Sequence, residues 1–406
     1  MSTLYSIVGF ILGFGLVYFS IPPLIRVSVA KHLYDTPNER KASKVVVPTI
    51  GGVAIFIGFI LSTIIATDGF SFAELKYLIA AVIVLFFLGL NDDLIDIQAR
   101  KKLLIQLGVA IMLIVVGGFR FTSLHGFLGF YEISYPISFA ITLFTMIALI
   151  NAFNLIDGID GLASGISILI SGVLGFWFLL SGHPEYGIMS FCLTGSLAAF
   201  FIFNVFGKTN KIFMGDNGSL VLGVIMAIMA IKFNEFNINQ MLPHTLQNAP
   251  AISIGIFIIP VIDTLMVILI RASEGRSPFV PDMNHLHHQF LKLGNSHLKS
   301  TSYIVLINMF FITLTFFLHK LLDINSLLIA IITLGFTAAW LPRTILQRKE
   351  TKSAVPVIKL NVNEEAVAKR SITITDPLIF PAFRVKSSNL RGEKLGPNKE
   401  LAQSAI

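Results

Sequence analysis

Residues 136–180 read PISFAITLFTMIALI, then NAFNLIDGIDG, then LASGISILISGVLGFWFLL. Two apolar runs of 15 and 19 residues flank an eleven-residue insert that carries Asn151, Asn154, Asp157, Gly158, Asp160 and Gly161. About twenty apolar residues cross a hydrocarbon core as a helix. The two runs therefore read as consecutive spans joined by a polar link. A bilayer cannot hydrogen-bond a bare backbone, which makes the helix the default spanning form. A transmembrane barrel would show short alternating segments, and these runs are continuous.

The same pattern extends in both directions. Spans are expected near Leu4–Ile25, Thr49–Ala66, Tyr77–Leu90, Leu103–Gly117, Pro136–Ile150, Leu162–Leu180, Gly187–Asn204, Leu220–Ile231, Ala251–Ile270, Ser302–Leu318 and Ile324–Leu341. Tyr77–Leu90 and Leu220–Ile231 are short and invite extension into their flanks. The fold class is thus an all-α polytopic integral membrane protein of about eleven helices. The composition agrees: 54% of the 406 residues are hydrophobic and 13% charged, against about 25% charged in soluble domains. Residues 1–342 form a transmembrane catalytic domain in this reading. Residues 343–406 are polar and basic and form a cytoplasmic tail, partly ordered or disordered, whose Lys and Arg can touch anionic headgroups at about 1 kcal/mol each. The single cysteine, Cys192, allows no internal disulfide and reads as a small buried hydrophobe.

Orientation follows from Lys and Arg. With the N-terminus outside, the inner loops hold fourteen of them and the outer loops only Lys76, Arg120, Lys232 and Lys320, with twelve more in the tail. Cytoplasmic segments carry such an excess, so the C-terminus is expected in the cytoplasm. The same rule accounts for the net charge of +7 without nucleic acid as a partner. The first run lacks a basic leader and an evident cleavage site, and reads as a retained helix.

The unusual polar residues all fall on the inner side. One inner loop carries Asn91-Asp92-Asp93-Leu94-Ile95-Asp96 and then Arg100-Lys101-Lys102; the next carries Asn151–Gly161. Phe213-Met214-Gly215-Asp216-Asn217-Gly218-Ser219 follows, and then Gly275-Arg276-Ser277-Pro278-Phe279 with Pro281-Asp282-Met283-Asn284-His285-Leu286-His287-His288. Acids near the membrane are costly, about 2.5–3.5 kcal/mol at a helix centre, and mark function by default. Carboxylates and amide oxygens suit Mg²⁺, which takes one or two carboxylates together with waters and substrate phosphates. An ordinary solvated helix end, or an Asx turn at Asp216, is the plainer reading of each motif alone. Three histidines within four residues suggest zinc first. No cysteine accompanies them, and phosphate binding suits their basic, oxygen-rich company better. Together these groups describe a phosphoryl-transfer site at a membrane boundary, with one lipid and one water-soluble substrate. A secondary transporter would instead place such groups near the midplane.

Four ordered motifs carry a resemblance. Asp92–Asp96, Asn151–Gly161, Phe213–Asp216 and His285–His288 are similar to the signatures of the polyprenyl-phosphate N-acetylhexosamine-1-phosphate transferases, over essentially residues 1–342. Asp35–Lys41 and Gly51-Gly52 also look familial, with Ala42-Ser43 where relatives usually show Val-His. The His-x-His-His form after Arg-Ser-Pro-Phe-x-Pro-Asp resembles the branch that uses UDP-N-acetylglucosamine more than the phospho-MurNAc-pentapeptide branch of peptidoglycan synthesis. That favours a transferase that initiates O-antigen, common-antigen, teichoic-acid or capsule-type glycans.

The resemblance implies transfer of HexNAc-1-phosphate from a UDP-N-acetylhexosamine to undecaprenyl phosphate, with release of UMP, at the cytoplasmic face of a bacterial plasma membrane. It implies Mg²⁺ as cofactor, with Mn²⁺ as a substitute, Asp216 and Asn154 as metal ligands, and Asp92 as base or phosphate positioner beside Asp93 and Asp96. Lys102 would hold the pyrophosphate, and Asp157 and Asp160 would face the nucleotide. Asn217, Arg276, His285, His287 and His288 would grip diphosphate or sugar. Membrane lipid is a further partner, and a homodimer is expected by the same analogy.

Overall fold

Each of the eleven expected segments is helical in the computed structural model. The structure describes residues 1–31, 34–35, 47–67, 70–239, 241, 244–275 and 285–353. The helices are α1 (Ser2–Ala30), α2 (Gly51–Ala66), α3 (Leu75–Ile95), α4 (Ala99–Val115), α5 (Tyr135–Ile156), α6 (Leu162–Leu180), α7 (Pro184–Phe201), α8 (Asp216–Phe236), α9 (Ala249–Ile256), α10 (Ile258–Ser273), α11 (Leu286–Lys292), α12 (His297–Leu318) and α13 (Ile324–Ser353). A π-helical turn, Ile202–Phe206, extends α7. Two antiparallel ribbons complete the described residues: Tyr34–Asp35 with Val47–Pro48, and Ser123–Phe127 with Phe130–Glu132.

Among the described residues, eight helices are long and apolar enough to cross a membrane by length and composition; α9 and α10, bent by 78° at their junction, form either a ninth, broken span or a re-entrant loop. The chain is a multi-pass membrane protein. The short elements are not those the hydropathy suggested. α3 and α8 each run to 21 residues, whereas α2 has 16 and α4 has 17. The polar residues Asn91–Asp93 and Asp216–Ser219 are terminal turns of these helices, not loops. Asn151–Ile156 is likewise the last turn and a half of α5. At the other extreme, α13 continues through Pro342 to Ser353, beyond the point at which the sequence turns polar.

α8 forms the centre. It is apolar all round, as a helix enclosed by others must be, and it is buried along nearly its whole length. α2, α3, α5 and α6 pack around it, while α1 packs on α2 and α7. Close approach requires glycine at two places. A Cβ at Gly89 of α3 would overlap the Asp216 carbonyl, and one at Gly52 of α2 would overlap the Asn217 side chain and the Gly218 amide. Two backbone hydrogen bonds, Gly51 N–H to Phe213 O and Gly52 N–H to Met214 O (both 2.9 Å), tie the start of α2 to the segment before α8. The familial Gly51-Gly52 pair thus seats the N-terminus of α8.

α3 and α8 run antiparallel and are joined at both ends. At the end remote from the acids, Lys232 bonds Glu74 at 2.7 Å and lies over the rings of Phe119, Tyr186 and Phe236. Glu235 there accepts the Thr122 amide and hydroxyl at 2.7 and 2.8 Å. Desolvated ion pairs with aromatic walls hold their geometry better than exposed ones. The relative height of the two helices that carry Asp92, Asp93 and Asp216 is therefore fixed twice.

Candidate active site

The N-terminus of α8 presents backbone N–H groups that have no partner within the helix. Asp93, from the last turn of α3, supplies one. Its Oδ1 accepts the Asp216 amide at 2.8 Å, and its Oδ2 accepts the Asn217 amide at 3.0 Å and the Asn217 side-chain NH₂ at 2.5 Å. Asn217 also donates to the Thr49 carbonyl at 3.1 Å and is fully buried. Gly215, at φ +73°, makes the turn into the helix, a conformation that glycine adopts without steric cost. Asp93 and Asn217 therefore build the cap. The Asn217 side-chain amide nitrogen, expected to meet substrate, is here engaged by Thr49 and Asp93. Asp93 likewise commits both oxygens to amides rather than to reacting groups.

With its amide capped, Asp216 is free to direct its carboxylate elsewhere. Asn154 Nδ2, from the last turn of α5, donates to Asp216 Oδ1 at 2.8 Å and to Ser219 Oγ at 2.9 Å. The Lys102 ammonium, from the first turn of α4, bonds Asp216 Oδ2 and also Asp92 Oδ2, the latter at 2.8 Å. Asp92 Oδ1 in turn accepts the Ile97 amide at 2.7 Å. Four helix ends thus bring Asp92, Lys102, Asn154 and Asp216 to one point. Asp96 closes α3 in a left-handed backbone conformation with its side chain exposed, and does not join them.

Asp157, just past the end of α5, takes no hydrogen bond among the described residues. Burial, and then the charges of Asp216, Asp93 and Asp160, push its carboxyl well above the ordinary range. Asp160 is different. It pairs with Lys211 Nζ at 2.7 Å and His297 Nδ1 at 3.0 Å, and its carbonyl accepts Thr301 Oγ1 at 2.7 Å. Burial would raise its carboxyl, but the His297 and Lys211 hydrogen bonds outweigh this and hold it below the usual value. Asp160 therefore ties the α5–α6 turn to the start of α12 and to the segment before α8. Sequence reasoning left out Lys211 as its partner and His297 altogether.

The histidine motif enters from the other side. His285 and His287 are buried. Their rings lie nearly parallel, 5.7 Å apart, and His288 is 4.2 Å from His287. His287 lies edge-on to Gly158, where a Cβ would collide with its Nε2. Neither ring nitrogen of His287 has a hydrogen-bond partner among the described residues. Desolvation, reinforced by neighbouring histidines, lowers its pKa to about 3. This favours the uncharged imidazole at neutral pH. Asp263 of α10, which sequence reasoning overlooked, holds His285 at 3.0 Å. Arg276 lies outside the described residues.

The donor set suits Mg²⁺. Asp92 and Asp216 converge on a single ammonium, the Asn154 amide is beside them, and Asp157 takes no hydrogen bond among the described residues. Among the described residues, no group of three or more His, Cys, Asp or Glu forms a complete metal cage. Mg²⁺ needs none when waters and substrate phosphates fill its shell.

Comparison with known proteins agrees with this arrangement. The model of glycosyl transferase family 4 matches residues 75–234, the segment from the start of α3 almost to the end of α8. An undecaprenyl-phosphate alpha-N-acetylglucosaminyl 1-phosphate transferase of Yersinia pestis is 30% identical over 272 residues, 66% of this chain and 72% of that protein. The protein of the same name from Escherichia coli K12 is 31% identical over 265 residues, 64% and 70% of the two chains. A probable undecaprenyl-phosphate N-acetylglucosaminyl 1-phosphate transferase of Bacillus subtilis 168 is 30% identical over 308 residues, 75% and 82%. With likeness of this extent, the chain belongs to glycosyl transferase family 4.

Proposed function

We propose that this protein transfers N-acetylglucosamine 1-phosphate from UDP-N-acetylglucosamine to undecaprenyl phosphate, releasing UMP, and so starts a lipid-linked envelope glycan. The observation that carries the reading is the meeting of Asp92, Lys102, Asn154 and Asp216 at the ends of α3, α4, α5 and α8. The names of the matched relatives support the acceptor and the sugar. The Lys and Arg asymmetry supports a cytoplasmic site in a bacterial plasma membrane.

The acceptor is a phosphate monoester with a second pKa near 6, so it is largely dianionic at pH 7. It attacks the β-phosphorus of the nucleotide sugar, and UMP leaves. No strong base is needed; bringing two anions together is the harder task. Mg²⁺, held by Asp216 with Asn154, would neutralise charge on the diphosphate and the leaving group. Lys102 balances the carboxylates and is placed to meet phosphate oxygens. Asp92, fixed by Lys102 and the Ile97 amide, orients that ammonium and the acceptor. Asp93 holds the α8 terminus in place. Asp157 and the neutral His287 flank Gly158 and offer hydrogen bonds to uncharged parts of the donor.

Purified protein with undecaprenyl phosphate, Mg²⁺ and radiolabelled UDP-N-acetylglucosamine is expected to give organic-extractable label and stoichiometric UMP. EDTA should abolish both, and Mn²⁺ should restore them. Silence with this donor and with the MurNAc-pentapeptide donor would overturn the reading. A second expectation concerns His287. Its truncation removes one buried hydrogen-bonding group, worth about tenfold in affinity. His287→Ala should therefore raise KM for the nucleotide sugar about tenfold and leave KM for the lipid nearly unchanged. The reverse order would move the histidines to the lipid side.

A further inference from the structure

Asp263 is the single acid of α10, near the middle of a helix otherwise almost wholly apolar. It is 5% exposed. A carboxylate in such a place is costly unless its oxygens are satisfied. Both are. Oδ1 accepts the Leu286 amide at 2.7 Å, and Oδ2 meets His285 Nδ1 at 3.0 Å. An ionised carboxylate has no proton to give, so Nδ1 of His285 must carry the hydrogen. One side chain thus fixes the tautomer of His285, the plane of its ring and the first amide of α11. The ring of His285 lies nearly parallel to that of His287, with centroids 5.7 Å apart, and His287 abuts Gly158 beside Asp157. The contacts run unbroken from Asp263 through His285 and His287 to the turn that ends α5.

We propose that Asp263 is a positioning residue for the donor sugar nucleotide, acting through His285 to hold the histidine helix against the Gly158 turn. The inference rests on the transferase reading above. Asp263 touches no reacting atom. Its carboxylate sets where His287 stands, and His287 is a buried imidazole whose two nitrogens have no hydrogen-bond partner among the described residues. A purely structural staple between α10 and α11 would behave differently, because its loss would lower stability without selecting between substrates.

The test is a double-variant cycle on the full chain, with KM read separately for UDP-N-acetylglucosamine and undecaprenyl phosphate. Asp263→Asn keeps the shape but leaves two donors facing at the ring. It should raise KM for the nucleotide sugar about tenfold and change that for the lipid less than about twofold. His285→Gln, which keeps the bond from Asp263 to the Leu286 amide, should show the same donor-selective rise even if Asp263→Asn does not fold. Asp263→Asn with His285→Gln should be no worse than the poorer single variant, because the two act as one unit. Multiplied losses, equal rises for both substrates, or a lower melting temperature with both KM values unchanged would each overturn the proposal. A wild type silent in the transfer assay would sink the transferase reading and this inference with it. An active wild type with indifferent variants would sink the inference alone.

Discussion

Asp216→Asn should leave a folded protein whose turnover is lower by about 10²–10³-fold at every Mg²⁺ concentration. The expected survival of the fold follows from the division of labour at the start of α8. The cap is made by Asp93 on the backbone amide of residue 216, not on its side chain. Asparagine keeps that amide, the length of the side chain and an oxygen for the Asn154 bond. It loses the charge that balances Lys102 and the hard anionic donor that a divalent cation prefers to an amide. Initial rates over a range of Mg²⁺, with melting temperature in detergent as the check on folding, decide the matter. A rate near that of the wild type would remove Asp216 from the metal. Partial recovery at high Mg²⁺ would make it one ligand among several rather than the principal one. Asp93→Ala offers the contrast. It strips the cap from α8 and leaves the Asn217 amide and side chain short of their acceptor, so stability should fall together with rate, by about 1–2 kcal/mol for the cap alone.

The difference between Asp92 and Asp93 shows how far the sequence can be read. Both acids were legible as candidates, as were Asn154, Asp216 and Lys102, because a membrane helix does not carry such groups idly. Their separate duties were not. Adjacent residues on a helix point about 100° apart, so one acid meets Lys102 while the other meets the amides of α8. Which does which depends on the rotation of α3 about its axis, and Gly89 and the Glu74–Lys232 pair set that rotation through contacts with residues far away in the chain. Asp157 and Asp160 split in the same manner, one left open and one bound by Lys211 and His297. Asp263 had a visible signal, a lone acid inside an apolar run. It was hidden by the habit of seeking chemistry in the links between spans. That the chain is helical and crosses the membrane many times was plain from hydropathy; among the described residues eight helices meet the length and apolarity of a span, or up to nine, where about eleven were expected. The helix lengths were not plain, because terminal acids and amides extend α3, α5 and α8 only where partners on neighbouring helices satisfy them.

Lys102→Met is expected to abolish transfer while tightening the binding of divalent cations. In the structure the ammonium bonds Asp216 and Asp92 together, which is the position a metal would need if it is to be shared by the same carboxylates. A lysine and a divalent cation at one pair of acids compete, so removing the lysine relieves the competition and leaves a site with one more net negative charge. Turnover suffers for the opposite reason. Without the ammonium, no other cation among the described residues bonds Asp92 or Asp216 to offset the charge of two phosphates brought into contact, and a loss of about 10²–10³-fold is expected. Lys102→Arg should not rescue it fully, because a planar fork does not replace a compact point charge in an enclosed slot. Mn²⁺ binding, followed by the loss of its free-ion EPR signal in the absence of substrate, reads the first effect apart from activity. Transfer lost with Mn²⁺ held more tightly would mean that Lys102 and the cation share Asp216 and Asp92 in turn, the lysine leaving for phosphate when the metal arrives. Transfer and Mn²⁺ affinity lost together would mean that the lysine supports the metal site. Its bonds to the two acids would then persist through the cycle, and phosphate neutralisation would have to come from elsewhere on the inner face.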